Sequence, residues 1–251
     1  MKPEIRIAGD RAELTRMTAG LLLDLSKAAV KAEKRCTIAL SGGSTPKDVY
    51  AMLADDAKLR AEFPWNDTYF FWGDERHVPP DHPESNYRMT NEAMLSKAPL
   101  PPANVHRVKA ENPDAAAAAR DYEREVRKFF QLPAGKFPRF DIVLMGMGPE
   151  GHTASLFPGT KALGEEKKLV VSNWVGKLYT DRITMTAPVF DNARNVVFLV
   201  AGDDKAVALK AVLEGKDEPD QLPAQLIRPR KGKLIWLLDP RAARYLGKDI
   251  G

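Results

Sequence analysis

The sequence has one cysteine, four histidines and no long apolar run. With Cys36 alone, an internal disulfide and a cysteine-based zinc site are both excluded. A membrane-spanning helix needs about 20 consecutive apolar residues, and the longest runs here, which include residues 196–201 and 234–238, are far shorter. The composition, 44% hydrophobic and 29% charged over 251 residues, is that of an ordinary globular protein and argues against a disordered or membrane-spanning chain.

The chain also lacks an excess of charge of one sign. Lysines and arginines number 38 against 34 aspartates and glutamates, a formal net charge of +4. The basic residues form no cluster and no nucleic-acid-binding motif, so we expect no nucleic acid partner. The first ten residues contain no hydrophobic region of the secretory type. We therefore expect a cytoplasmic protein without a membrane partner, and we expect it to be a monomer.

Short apolar runs alternate with helix-like stretches along the whole chain. This pattern predicts strands at residues 4–8, 36–40, 68–72, 105–108, 141–145, 169–172, 182–186, 196–201 and 234–238. Such alternation predicts an α/β fold, a single Rossmann-like domain over residues 1–251 whose largely parallel sheet is covered by helices on both faces. In folds of this kind, ligands bind outside the carboxyl ends of the strands.

Local signals predict where several helices begin and end. Asp10 and Glu13 have the spacing of a capping box, ahead of an amphipathic stretch that runs to about residue 34. Thr45 is the predicted N-cap of a helix over residues 46–54, with proline at its first position. Further helices are predicted at residues 85–95, 113–129 and 203–213, the last with Gly215 as its C-cap.

The strand predicted at residues 36–40 is followed by the sequence SGGSTP, which leads into a helix. Glycines and hydroxyls before a helix N-terminus leave N–H groups exposed in a favourable dipole, which is the arrangement that binds phosphate. We predict phosphate binding by Gly42, Gly43 and Ser44, with an ordinary turn as the alternative. The G-K-[ST] ending of a Walker loop is missing.

The strand predicted at residues 68–72 is followed by GDERHVP. Arg76 and its acidic neighbours at a strand end could orient a substrate or form a solvated turn. Glu75, His77 and His82 could hold a metal, but prolines lie between the two histidines, and we predict no metal site.

The strand predicted at residues 141–145 is followed by GMGPEGHT, a match to the dinucleotide fingerprint G-x-G-x-x-G. The match lies mid-chain, a Pro-Gly pair follows too soon for a long helix, and the acidic ribose partner is missing. What the loop does offer is His152, which titrates near neutral pH and suits a general base, with Glu150 beside it to orient the ring. A histidine without a catalytic role is the alternative.

Two further cations follow strand or loop boundaries. Arg182 begins a predicted strand and Lys205 begins a predicted helix; each is either a phosphate ligand or a surface charge. The sequence has no G-x-S-x-G elbow, and Cys36 lies in a predicted buried strand. With no nucleophile for covalent catalysis, a hydrolase built on this chain would use water directly.

Taken in order, these loops resemble those of the 6-phosphogluconolactonase family. The matching segments are SGGSTP (41–46), GDERHVP (73–79), SNYRM (85–89), GMGPEGHTASLFPG (146–159), RITMT (182–186) and AGDDKA (201–206). The resemblance implies hydrolysis of 6-phospho-D-glucono-1,5-lactone, with His152, Glu150 and Arg76 as catalytic residues. It implies that Gly42, Gly43, Ser44, Arg182 and Lys205 bind the substrate, and that no cofactor is required.

One departure from the family pattern and two alternatives remain at this point. The family usually has Asp where this chain has Glu150, which changes the geometry beside the histidine. Glucosamine-6-phosphate deaminases are similar at the first and fourth segments, but they typically have Asn-Glu-Pro where this chain has SLFP at residues 155–158. A deaminase or isomerase, and a non-catalytic sugar-phosphate sensor, are therefore the alternatives to the lactonase.

Overall fold

The computed structural model describes residues 3–247. Its strands are β1 (Glu4–Ile7), β2 (Cys36–Leu40), β3 (Thr68–Trp72), β4 (Asp74–Arg76), β5 (Ile142–Met145), β6 (Val170–Val175), β7 (Thr180–Met185), β8 (Asn195–Val200) and β9 (Lys233–Leu238). Its α-helices are α1 (Arg11–Glu33), α2 (Ser44–Asp55), α3 (Ala57–Glu62), α4 (Asn86–Thr90), α5 (Ala115–Phe129), α6 (Ala187–Asp191), α7 (Ala206–Glu214) and α8 (Pro240–Ala243). None of the helices in this part of the chain has the length and apolar character required to cross a membrane.

The main sheet has six strands in the order β1-β9-β8-β5-β2-β3, and every neighbouring pair is parallel. Together with its flanking helices, this sheet confirms the predicted α/β class. From β2 the chain proceeds outward to β3, whereas from β5 it proceeds outward in the other direction. The order therefore reverses between β2 and β5, and the crevice at such a reversal is where ligands bind.

The core of the main sheet is apolar on both faces. All residues of β2 and β5 are buried, as expected for parallel strands covered on both sides. Phe198 and Trp236 stack face to face on adjacent strands, with ring centroids 3.9 Å apart. Burying an aromatic side chain of this kind contributes about 1.5–3 kcal/mol relative to leaving it exposed.

A second sheet has three antiparallel strands in the order β4-β7-β6. The sequence predicted strands near β6 and β7 but not their separate pairing, and it did not predict β4. Gly73 links the two sheets, because its N–H donates to Leu40 O (2.9 Å) and its carbonyl accepts from Met185 N (2.8 Å). The chain thus leaves β3 and enters the second sheet within one residue.

Several of the predicted boundaries are confirmed, including Gly215 as the C-cap of α7, whereas one boundary and one strand are wrong. Asp10 caps α1 by accepting from Glu13 N (2.7 Å), and α1 extends to within one residue of the predicted end. Thr45 is not a cap, because α2 already begins at Ser44, after Gly43. The strand predicted at residues 105–108 is reduced to one isolated bridge of Val105 with Phe70, since the chain turns away from the sheet edge after it.

Candidate active site

A cavity of about 300 Å³ lies at the carboxyl edge of the main sheet, at the reversal between β2 and β5. Its walls come from the loops after β2, β5 and β8 and from β4 of the second sheet. Those predicted site residues that line it directly are Gly42, Gly43, Ser44, Arg76, His152 and Lys205. The site thus lies at the edge of the sheet where the sequence predicts it.

Two larger depressions, of about 510 and 670 Å³, lie along α5. They are lined mainly by charged side chains, several of which are already paired with each other, such as Arg127 with Glu123. The smaller cavity is the better candidate site. It brings together a glycine-rich helix start, a histidine and two cationic side chains at the topological reversal.

The loop after β2 presents backbone N–H groups to the cavity. Tyr50 fixes this loop from below, because its hydroxyl donates to Ser41 O (2.8 Å) and accepts from Ser41 N (3.0 Å). Gly43 has φ +109°, and among residues 3–247 no side chain caps the start of α2. A Cβ on Gly42 would lie 1.9 Å from Asn86 Oδ1, so only glycine fits there. The uncapped N–H groups are free to bind an anion.

His152 is held by the loop after β5. Its Nδ1 is 2.9 Å from Glu150 Oε2, and its ring stacks on Phe157 with centroids 4.1 Å apart. Its carbonyl accepts from Gly148 N (2.8 Å). A Cβ on Gly148 would lie 2.0 Å from His152 Nδ1, so the imidazole can pack here only because residue 148 is glycine.

Burial lowers the pKa of His152 to about 4. The nearby positive charges of Lys205, Arg182 and Arg76 act in the same direction, while Asp74 opposes them. The imidazole is therefore neutral at pH 7. With Nδ1–H donated to the Glu150 carboxylate, the lone pair lies on Nε2, so the ring is oriented to accept a proton.

Arg76 and Arg182 are cross-strand partners on β4 and β7. The Arg76 guanidinium donates to Glu84 O (2.5 Å), while Arg182 Nε is buried without a hydrogen-bond partner among the described residues. Burial, and next the charge of Arg76, lower the pKa of Arg182. Two like charges side by side destabilise a sheet, and an anion bound between them would remove that cost.

Lys205 approaches the cavity from the loop after β8. The turn before it uses Gly202 at φ +105°, and Asp239 holds that turn by accepting from Gly202 N (3.1 Å). Lys205 Nζ pairs with Asp204 Oδ2 at 2.7 Å. Of the predicted site residues, only Glu150 and Arg182 are not in the cavity wall; Glu150 bonds to His152, and Arg182 is the cross-strand neighbour of Arg76.

Sequence reasoning missed three contributors. Asp74 is buried in the cavity wall and accepts from the Ser155 hydroxyl (2.7 Å), and Asn86 lies against Gly42. Both belong to segments that resemble the family, GDERHVP (73–79) and SNYRM (85–89). Their position near the site could therefore be predicted, but their roles could not. Lys177, which pairs with Glu150, comes from a turn that carries no sequence signal.

The residues considered for a metal do not converge. Glu75 is buried and accepts from the N–H groups of Asn86 (2.7 Å) and Tyr87 (2.8 Å), so it anchors the start of α4. His77 Nε2 bonds to the backbone oxygen of Asn112 (2.7 Å), whereas His82 Nδ1 accepts from a neighbouring N–H. Within residues 3–247 no group of three histidine, cysteine or acidic side chains has the geometry of a metal site.

Comparisons with known proteins identify the family of the chain. Residues 9–236 match the family described as glucosamine-6-phosphate isomerases/6-phosphogluconolactonase. A 6-phosphogluconolactonase of Synechocystis sp. is 47% identical over 211 residues, which are 84% of each chain. One of Nostoc sp. is 40% identical over 98% of this chain and 99% of its own. The structure of 6-phosphogluconolactonase from Trypanosoma brucei superposes with a TM-score of 0.87 at 30% identity, covering 98% of this chain and 99% of that one. This chain belongs to the glucosamine-6-phosphate isomerase/6-phosphogluconolactonase family.

Proposed function

We propose that the protein hydrolyses 6-phospho-D-glucono-1,5-lactone to 6-phosphogluconate, a step of the oxidative pentose phosphate pathway. The relatives named 6-phosphogluconolactonase support this reaction class. The observation that carries the proposal for this chain is a neutral histidine facing a cavity surrounded by three cations. Such a cavity attracts a phosphorylated substrate and supplies a base for water.

The phosphate is bound by positive charge from two sources. The N–H groups at the start of α2, with Gly42, Gly43 and Ser44, provide donors that need no side chain. Lys205 adds a charged donor from the loop after β8. Arg76 and Arg182 face the phosphate or the oxyanion that develops on the lactone carbonyl.

His152 is the general base. Its Nε2 takes a proton from water as the water oxygen attacks the lactone carbonyl carbon, giving a tetrahedral oxyanion. When this intermediate collapses, the bond to the ring oxygen breaks, and the imidazolium returns its proton to that oxygen. The product acid then loses a proton to solvent. Glu150 holds the imidazole in the required tautomer throughout, and no covalent enzyme intermediate forms.

The lowered pKa of His152 affects both proton transfers, from water to the imidazole and from the imidazolium to the ring oxygen. An imidazolium with a pKa of about 4 is a strong acid and returns its proton readily. A bound phosphate dianion compensates the surrounding cations, which raises the basicity of His152 when substrate is present. The base is therefore more effective in the complex than in the free protein.

The test is proton release from freshly prepared lactone, with the spontaneous rate subtracted. Wild-type protein should accelerate it, and His152→Ala should lower kcat by about 10²–10⁴-fold. His77→Ala is the control, because that ring is bonded to a backbone oxygen and does not line the cavity. Near-normal turnover by folded His152→Ala would exclude the assignment of the base.

Related sugar-phosphate reactions are separated by their products. Ammonia release from glucosamine 6-phosphate, without lactone hydrolysis, would assign a deaminase. Binding of 6-phosphogluconate without turnover would assign a sensor. In this chain Phe157 stacks on His152, and the Ser155 hydroxyl donates to Asp74. The SLFP segment at residues 155–158, where lactonases and deaminases typically differ, therefore contacts residues of the candidate site.

A further inference from the structure

Lys177 lies outside the cavity and contacts the two side chains that hold His152. It lies in the turn Gly176–Leu178, which connects β6 and β7. Its ammonium pairs with Glu150 Oε1, while Glu150 Oε2 bonds to His152. The same ammonium lies 5.0 Å from the centroid of the Phe157 ring, which stacks on His152. One lysine thus contacts both groups that hold the imidazole.

The turn has a backbone conformation that supports this position. Tyr179, directly after the turn, has φ +49°, a left-handed conformation that a bulky residue adopts at an energetic cost. Its N–H donates to Gly176 O (3.1 Å), which closes the turn around Lys177. Tyr179 is 85% exposed, and its ring contacts Trp174 edge-on with centroids 5.2 Å apart. Strain of this kind marks a segment whose position matters.

We infer that Lys177 is a positioning residue for the proposed reaction: it anchors the Glu150 carboxylate, offsets its charge and so keeps the His152 imidazole oriented. This inference rests on the proposed function for its catalytic meaning. The position of Lys177 is a property of the second sheet, whereas His152 belongs to a loop of the first. The turn between β6 and β7 therefore connects the second sheet to His152, the proposed general base.

The direction of the effect follows from charge. A lone carboxylate next to His152 would stabilise the imidazolium and raise the histidine pKa. Lys177 opposes that effect, because its ammonium, held beside the ring by Glu150, repels the imidazolium. Removing the ammonium therefore raises the pKa of His152. The charged groups that face His152 from the packed elements are Glu150, Lys177, Asp74, Arg76, Arg182 and Lys205.

The experiment is a proton NMR titration of His152 in the full-length protein. Its imidazole resonance is assigned by its loss in His152→Ala. In Lys177→Gln we expect the pKa of His152 to rise by about 0.5–1 unit, a modest change because the lysine is half-exposed and screened by water. Lys177→Arg retains the charge and should titrate like the wild type. The matched control is Lys97→Gln, which removes an exposed lysine paired with Asp55.

A double-mutant cycle with Glu150→Gln tests the route of the effect. In that background, Lys177→Gln should shift the pKa of His152 much less than it does in the wild type. An equal shift in both backgrounds would overturn the role of Glu150 as intermediary. No shift in Lys177→Gln, or an equal shift in Lys177→Arg, would overturn the inference as a whole.

Kinetics separate this inference from the proposed function. If wild-type protein hydrolyses the lactone, the acid limb of its rate profile should move to higher pH in Lys177→Gln by the amount seen in the titration, and Lys177→Arg should restore it. If the wild type hydrolyses no lactone, the proposed function fails. The titration still decides whether Lys177 controls His152.

Discussion

In the parallel sheet, the strands that border the cavity are buried and reach it mainly through the loops that follow them, with the end of β8 as the exception. In the antiparallel sheet, the strands themselves form part of the site, because Asp74, Arg76 and Arg182 are strand residues. The first sheet supplies backbone N–H groups and a histidine in a glycine-rich loop. The second supplies charged side chains. The site therefore has two parts. The backbone part, from the first sheet, depends on backbone geometry, and the charged part, from the second sheet, depends on charge.

The largest effect we expect comes from the backbone part. Gly148→Ala puts a Cβ 2.0 Å from where His152 Nδ1 now lies, so the imidazole must move. A displacement of about 1 Å costs on the order of 10²-fold in rate, measured as kcat for lactone hydrolysis. In Gly20→Ala, a Cβ would meet nothing within 4 Å, and this helical change should leave kcat unaltered and stabilise the fold by about 0.5–1 kcal/mol. Equal kinetics for the two variants would contradict the role given to the glycine.

For the charged part, we expect a substitution that lowers activity to leave stability unchanged or higher. Arg182→Ala removes a hydrogen-bonding charge worth about 1.5–3 kcal/mol, so kcat/KM should fall about 10- to 150-fold. Thermal unfolding should not shift to lower temperature, because the repulsion with Arg76 is relieved. Arg182→Lys should be intermediate, since it keeps the charge but not the planar fork. Arg120→Ala, on the exposed side of α5, is the control, and a similar loss of activity there would argue against a local effect.

The pKa of His152 depends on both parts of the site. In the free protein its pKa is about 4, so the ring should be neutral at pH 6 and become protonated only as the pH falls through that value. Adding inorganic phosphate should raise this pKa by about 1 unit, because the anion compensates Lys205 and the two arginines. Proton NMR of the imidazole measures both values. A midpoint near 6.5 in the free protein would show that burial and the cations do not act as described.

The smallest effect should come from a contact between the two parts. Ser155→Ala removes the hydroxyl that donates to Asp74 Oδ2 at 2.7 Å. We expect a loss of about 1.5–3 kcal/mol in the free energy of unfolding, the value of a hydrogen bond to a charged group, and less than a 10-fold change in kcat. Chemical denaturation measures the first quantity. Ser96→Ala, whose hydroxyl bonds an exposed backbone oxygen, should change neither by more than a fraction of these amounts.

The sequence predicts the parallel sheet well because its strands, apart from the edge strand β1, are compact apolar runs. It predicts the glycine loops for the same reason, since each follows such a run directly. The second sheet was harder: β4 has three residues, all charged, and no periodicity distinguishes it from a turn. Residues 105–108 also show the limit, because Val105 and Val108 pack into the core while the segment makes only one isolated bridge to β3.

The candidate site divides in the same way. His152 and Gly42 could be found because glycines, a strand end and a helix start surround them in the sequence. Lys177 could not be found, since its partner Glu150 lies 27 positions earlier and belongs to the other sheet. Tertiary pairing of this kind leaves no local pattern. That residues 1–251 form one domain, and that the protein is a monomer in the cytoplasm, stay predictions.

Cys36, the single cysteine, is fully buried in β2, and burial raises the pKa of its thiol to about 12. In the native protein almost no thiolate is present at neutral pH, so alkylating reagents and mild oxidants should find nothing to react with. The thiol becomes reactive only when the central strand is exposed. The chain therefore carries an internal reporter of global opening, and the rate at which Cys36 is labelled measures how often the sheet comes apart.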